Sequence, residues 1–288
     1  MNGQVIKAVS GTFTVATKDG VFDAQARKKL RKDALLVGDF VEFNCAERVI
    51  ERVVPRKNAL IRPPVANVDL VAAVIAPEPQ PDLLLLDKII ITCIASKIPV
   101  LICVNKIDTA DVAFLHRVRA EYGFFDIAEV SAASRDVAGL TDAFVENGGL
   151  MVLAGQSACG KSSLINALLG QNLKTDGLSK KIKRGKNTTR EVRILQGSGF
   201  QIADTCGFSA YGLLLVNPLE LRKLYPDFAA YETHCRYGGC THTKEEECGV
   251  KLAHEAGKLQ GRYPRYLQLF EEARGNWTGA PRKRDGLI

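Results

Sequence analysis

The sequence of 288 residues contains no run of 18 or more apolar residues. Its densest apolar stretch, residues 89–95, is far too short to cross a bilayer, which takes about 20 residues as a helix. The N-terminal MNGQVIKAVSG lacks the basic-then-apolar order of a signal peptide. Neither export nor membrane attachment is therefore expected, and the cytoplasm is the expected compartment. No internal repeat is present, which sets aside solenoid architectures. The eight cysteines do not suggest a disulfide framework either. Cys45, Cys93, Cys103, Cys159 and Cys206 are scattered, mostly in apolar or strand-like stretches where a reduced thiol acts as a small hydrophobe. Cys235, Cys240 and Cys248 instead crowd into 14 residues with His242, which points to a metal site in a reducing compartment.

What is present is an ordinary globular composition, 46% hydrophobic and 25% charged. The chain is long enough for two or three domains, each with its own core. A net charge of +7 favours a polyanionic partner. Residues 1–60 read as short strands separated by turns: QVIKAVSGTFTVAT, GVFDAQA, VGDFVEFN and RVIERVV, with Lys18-Asp19-Gly20 as a hairpin signal. So many short strands in so small a unit predict a compact OB-type barrel, the expected RNA-binding domain. Within it, RKKLRK at 27–32 has five basic residues in six and suits either a solvated loop or a nucleic-acid contact. PRKNALIRPPVAN reads as a linker. From 61 to 212, apolar strands alternate with helical stretches, which predicts an α/β domain with helices on both faces of a parallel sheet. Residues 213–288 form a third unit. It carries the cysteine cluster, a helical segment KLAHEAGKLQGRYPRYLQLFEEA and a basic tail.

LAGQSACGKSSLINALLG holds Gly155-x4-Gly160-Lys161-Ser162, the P-loop spacing, between the strand MVLAG and the helix SSLINALL. In such a loop the backbone N–H groups of Gly155, Gln156, Ser157, Ala158, Cys159, Gly160 and on to Ser163 surround phosphates at the start of a helix. Lys161 reaches the outer phosphates, and the Ser162 hydroxyl ligates Mg2+. Asn105-Lys106-Ile107-Asp108 directly follows the strand VLICV. The Asp108 carboxylate can accept both N1–H and N2–H of guanine, a donor pair that adenine lacks. Asn105 suits the N7 side of the base, and the Lys106 stem can pack over the ring. Ser131 and Ala132 end the next strand, where a backbone N–H can reach guanine O6. Asp204-Thr205-Cys206-Gly207-Phe208 closes a further strand, with Asp204 placed for Mg2+ through water and the Gly207 N–H for the γ-phosphate. Thr188 or Thr189 is expected to ligate Mg2+ when the γ-phosphate is present. Thr189 is preferred because it directly precedes Arg190 and the next strand.

These are the parts of a GTPase, with Mg2+ and GTP or GDP as ligands, in rotated order. A circular permutation is implied, which a fold tolerates when its original termini lie close together at the surface. A P-loop kinase would need neither the guanine tetrad nor the Asp204 motif. An RNA-binding adaptor with GTP as a structural ligand stays open, since neither Asn187 nor Phe208 is an obvious catalyst. In the last unit, Cys235-x4-Cys240-x-His242-x5-Cys248 offers three thiolates and one imidazole. Four such ligands leave no open position and predict one structural zinc ion per chain. His234 is an alternative nitrogen ligand, although its adjacency to Cys235 makes joint chelation awkward.

The barrel, the permuted GTPase and the Cys3His segment together resemble the ribosome small-subunit-dependent GTPase A family, RsgA or YjeQ. The likeness is carried by VGDFVEF, RPPVANVD, NKID, GQSACGKSSLIN, DTCGF and CRYGGCTH, and covers essentially the whole chain. It implies a cytoplasmic, monomeric GTPase that binds the 30S subunit and its 16S rRNA and assists late maturation. It further implies hydrolysis that the subunit strongly stimulates and that accompanies release. Two positions depart from the family's motifs. Asn187 stands where GRHTTT has a histidine proposed to assist hydrolysis, and Cys206 stands where DTPGF has proline.

Overall fold

The computed structural model describes residues 1–9, 11–27, 30, 35–170, 192–205 and 216–277. Most of the basic run 27–32 and residues 171–191, 206–215 and 278–288 lie outside these.

Five strands close the N-terminal barrel: β1 (Asn2–Val9), β2 (Thr12–Thr17), β3 (Gly20–Ala26), β4 (Phe40–Asn44) and β5 (Val49–Val53). The ring runs β1-β2-β3-β5-β4 and returns to β1, with β3 and β5 parallel and every other pair antiparallel. Alternation along the strands turns Val5, Val15, Ala24, Val41, Phe43 and Ile50 into a common core. The Lys18-Asp19 turn joins β2 to β3, as its sequence predicts.

The barrel continues into the next unit. β1 is bulged at Ile6, so its first half pairs with β4 while Lys7 and Ala8 pair with β12 (Val192–Gln196). The segment that reads as a linker is instead a packed joint. It forms a two-stranded ribbon, β6 (Ala59–Leu60) and β7 (Val65–Ala66), whose Leu60 and Val65 enter the larger core. Buried Asp39 accepts from Arg56 at 2.6 and 2.7 Å, and Asn67 Nδ2 donates to Gly38 O at 2.9 Å. Gly38 has φ +92°, and a Cβ there would lie 2.1 Å from Ala66 O. Only glycine lets the two backbones approach this closely. Proline and basic residues suggested solvent, but the apolar pairs on either side of Arg62-Pro63-Pro64 decide where the segment goes.

The second unit is a sheet in the order β10-β9-β8-β11-β13-β12, built from β8 (Leu70–Ile75), β9 (Val100–Val104), β10 (Ile127–Glu129), β11 (Leu150–Ala154), β12 and β13 (Gln201–Thr205). All neighbours are parallel except β12, which is antiparallel to β13. Successive residues of β8 serve opposite cores, so the strand is apolar throughout. One core receives α1 (Leu83–Ala95) and α2 (Val112–Tyr122); the other receives α3 (Ala138–Asn147) and α4 (Lys161–Leu169). Counted from β11, the sheet order becomes 6-5-4-1-3-2, with β11 and β8 flanking the point where the winding reverses. Ligands of open α/β sheets bind at the carboxyl ends of strands at such a point.

The C-terminal unit contains a one-turn helix α5 (Ala229–Glu232), α6 (Gly249–Glu255) and α7 (Arg262–Asn276) around Tyr225, Phe228, Tyr266 and Leu269. The helical segment comprises two helices, because Gly257 adopts φ +80° just after the first. Fully buried Asp87 of α1 fixes this unit to the sheet. It accepts from Arg262 Nη1 at 2.5 Å, Arg265 Nε at 2.7 Å and Tyr122 Oη at 2.8 Å. Asp227 accepts from Arg262 Nε and Nη2, and Arg265 Nη2 donates to Glu121 and to Tyr122 Oη. Burial, with the Asp87 charge beside it, pushes the Tyr122 phenol well above its ordinary range, so it serves as a neutral donor. Asp87→Ala strips two buried guanidinium groups of their shared anion. Denaturant unfolding should show a loss of about 3–5 kcal/mol, while Glu47→Ala, at an exposed barrel pair, should change little; equal effects would refute the clamp.

Candidate nucleotide site and metal centre

The P-loop leaves β11 at the winding reversal, and its conformation explains its glycines. Gly155 has φ +152°, and a Cβ there would lie 2.2 Å from Val74 O; Gly160 has φ +97°, and its Cβ would meet Asn105 Nδ2 at 2.2 Å. Ala158 also has positive φ, at 64°. α4 starts at Lys161 with no side-chain cap, so its first N–H groups remain available to an anion. Lys161 Nζ donates to Gly155 O at 2.8 Å and Gln156 O at 2.6 Å. Burial holds this ammonium below the ordinary lysine range, with the Cys159 sulfur pulling the other way. An incoming phosphate would favour the charged form. Ser157, Ala158, Ser162 and Ser163 are exposed around the loop, while Cys159 is buried beneath it.

Asn105 joins two loops. Its carboxamide is 1% exposed, donates through Nδ2 to Cys159 O at 2.9 Å and accepts from Ala132 N at 3.1 Å. Lys106 adopts the left-handed conformation (φ 63°, ψ 40°) and sends Nζ back to Ala158 O at 3.0 Å and Glu78 O at 2.7 Å. Exposed Asp108 accepts from Ser131 Oγ at 2.5 Å. Asn105, Lys106, Asp108, Ser131 and Ala132 thus converge beside the P-loop. The sequence reading missed residues 78–82, which complete this edge. Gln156 Nε2 donates to Pro79 O and Gln80 O, and its Oε1 accepts from Asp82 N at 2.6 Å. Nothing in APEPQPD signals that role beyond a turn.

Asp204, the penultimate residue of β13, is 9% exposed. Arg193 of β12, also missed in the sequence, donates to its Oδ2 through Nε at 3.1 Å. Asn187, Thr188, Thr189, Cys206, Gly207 and Phe208 lie outside the described residues.

In the C-terminal unit, the ligand atoms of Cys235, Cys240, His242 and Cys248 all lie within 4.8 Å of one another. His242 Nδ1 is 3.6 Å from Cys235 Sγ and 3.3 Å from Cys248 Sγ, and those sulfurs are 3.9 Å apart. A tetrahedral ion with metal–sulfur bonds near 2.3 Å needs ligand separations of roughly 3.7 Å, so the cluster fits zinc. His234 is not in it; its Nδ1 lies 3.2 Å from Thr233 Oγ1. Two acids shape the site. Glu232 Oε1 lies 3.0 Å from His242 Nε2, the carboxylate–imidazole contact that turns Nδ1 toward a metal. Glu245 binds Thr241 N, Thr241 Oγ1 and Thr243 N, fixing the loop on which His242 adopts φ 57°. Burial works to raise the Glu245 carboxyl, but these donors outweigh it and hold it at about 2. Burial pushes the Cys240 thiol up to about 12, so a metal taking that sulfur must displace its proton. Glu232 and Glu245 sit among surface-like acids in the sequence, which hides both roles.

A phosphate loop at the winding reversal, a guanine-type tetrad tied to it and a rotated strand order define a circularly permuted P-loop GTPase. Known proteins agree. A family model described as RsgA GTPase matches residues 53–214, and one described as RsgA N-terminal domain matches residues 2–49. The chain is 36% identical over 284 residues to a Clostridium acetobutylicum protein named small ribosomal subunit biogenesis GTPase RsgA, covering 94% of this chain and 97% of that one. An Alkaliphilus metalliredigens protein of the same name is 38% identical over 290 residues, with 95% and 98% covered. Among solved structures, YjeQ from Thermotoga maritima has a TM-score of 0.77 at 30% identity, covering 96% of this chain and 99% of that one. YloQ, titled a circularly permuted GTPase, gives 0.71 at 30% identity, with 98% and 96% covered. The chain belongs to the RsgA GTPase family and is a GTP-hydrolysing enzyme.

Proposed function

We propose that this GTPase binds the small (30S) ribosomal subunit and its 16S rRNA in the cytoplasm and assists late subunit maturation, acting as a monomer. The observation that carries the reading is the Asn105 bridge, which joins the guanine-type tetrad to the phosphate loop. The names of the relatives supply the ribosomal partner.

In this reading Asp108 selects guanine, Lys106 covers the ring, and Ala132 N–H faces O6 with Ser131 holding Asp108 in place. The backbone from Gly155 to Ser163 cradles the phosphates, and Lys161 moves from its two carbonyl partners onto the outer phosphates. Mg2+, when bound with the nucleotide, would supply positive charge to the phosphoryl oxygens. Ser162 and Thr189 are its proposed ligands, with Asp204 acting through water, and the Gly207 N–H meets the γ-phosphate. Zinc, one ion per chain, holds the C-terminal unit through Cys235, Cys240, His242 and Cys248.

Metal analysis should find zinc in the wild type and none in Cys240→Ala. That variant should lose C-terminal structure by protease mapping yet keep its GTP affinity, because structural zinc drives local folding. Metal-free wild-type protein with an intact C-terminal unit would exclude the zinc site.

The water-orienting glutamine of many GTPases is replaced by Phe208, whose ring cannot hydrogen-bond, and Asn187 has no basic nitrogen. The isolated chain should therefore bind GTP well and hydrolyse it slowly, and small subunits should accelerate turnover. LSKKIKRGKN, between the P-loop and the Asp204 strand, is basic enough to lie on rRNA phosphate. Stimulation should then fall steeply between about 50 and 200 mM salt. Fast turnover by the protein alone, indifferent to subunits, would reject this function.

A further inference from the structure

Lys7 of β1, Arg193 of β12 and Asp204 of β13 stand directly opposite one another across three antiparallel strands. Residues so paired share one face of the sheet. The row therefore runs from the barrel strand to the carboxylate at the nucleotide site. Arg193 Nε lies 3.1 Å and Nη2 3.0 Å from the same oxygen, Asp204 Oδ2. Among the described residues, Oδ1 has no hydrogen-bond partner. The Asp204 side chain is 12% exposed and that of Arg193 41%, so the carboxylate is the better sheltered member of the pair.

We propose that Arg193 is a positioning residue for the Mg2+ that accompanies the nucleotide: it grips one oxygen of Asp204 and so presents the other to the ion's water shell. The proposal rests on the reading of Asp204 as the carboxylate that acts through water. An aspartate's terminal torsion is broad and two-fold, and leaves the carboxylate plane undefined unless something holds it. Two nitrogens on one oxygen supply that hold, in a charge-assisted contact. The guanidinium would also repel Mg2+ through space, but both of its contacting nitrogens are on Oδ2, not on Oδ1. Partners of ligating carboxylates typically matter by about 10- to 100-fold in metal affinity, which makes loss of orientation the larger effect. The cross-strand register adds a consequence: a shift of β1 against β12 reaches Asp204 through Arg193.

Release of fluorescent GDP, followed against free Mg2+ without hydrolysis, tests this in wild type, R193Q, R193K and D204N. R193Q should raise the Mg2+ concentration that half-maximally slows release by about tenfold. GDP affinity in EDTA and the melting temperature should stay at wild-type values. R193K, which keeps the charge but lacks the planar fork, should recover only part of the shift. D204N should also raise the midpoint. An unchanged or lower midpoint in R193Q, alongside a raised one in D204N, would overturn the positioning role while leaving the Asp204 reading intact. An unchanged midpoint in D204N would remove that reading and the proposal with it.

Discussion

The proposed nucleotide site depends on one buried carboxamide. Asn105 leaves the end of β9, spends its amine on Cys159 O in the P-loop and its oxygen on Ala132 N in the loop after β10. Both contacts are sheltered from water, where an unmade hydrogen bond costs about 1–3 kcal/mol. Each loop is therefore held in the conformation that meets the other. The left-handed Lys106 follows from the same geometry, because its stem must turn back across the P-loop to reach Ala158 O and Glu78 O. A chain cut and rejoined elsewhere keeps such a site, since what matters is which strand ends meet.

The other two units are fastened to this sheet by different means. The barrel shares backbone hydrogen bonds with it through β1 and β12, and the ribbon β6–β7 fills the joint with Leu60 and Val65. The C-terminal unit is held by charge: Asp87 lies between two arginines whose other donors reach Asp227 and Glu121, with Arg262 stacked over Tyr225 at 4.5 Å. Buried ion pairs add little net stability, yet they punish misalignment heavily. Both fastenings meet the strands and helices that carry the nucleotide loops. Asp204 and its neighbour Arg193 lie next to the barrel strand, and α1, which carries Asp87, begins at Asp82, the residue bound to Gln156 of the P-loop.

The sequence made some of this legible because certain chemistry needs fixed local spacing. Phosphate cradling demands Gly155-x4-Gly160-Lys161-Ser162, and four zinc-type ligands within one short loop need no knowledge of the fold. The strand alternation gave the sheet, and the motif order gave the permutation. What stayed hidden depends on register or on distant partners. Arg193 meets Asp204 only because β12 and β13 pair with those residues opposite, and Asp87 meets Arg265 across 178 positions of chain. Glu232 sits ten residues before His242 in a helix turn with no metal signature. The joint at 55–67 misled for another reason: proline and charge dominate its composition, whereas two apolar pairs determine its burial.

If the segments that sense the γ-phosphate run directly into strands shared with the barrel, then nucleotide state and subunit binding are linked by a single coupling free energy. The direct measurement is the affinity of the chain for purified small ribosomal subunits with a non-hydrolysable GTP analogue and with GDP, by co-sedimentation at fixed salt. A switch of this design binds tighter with the GTP analogue by about tenfold or more, or roughly 1.4 kcal/mol. Equal affinity in the two nucleotide states would contradict it.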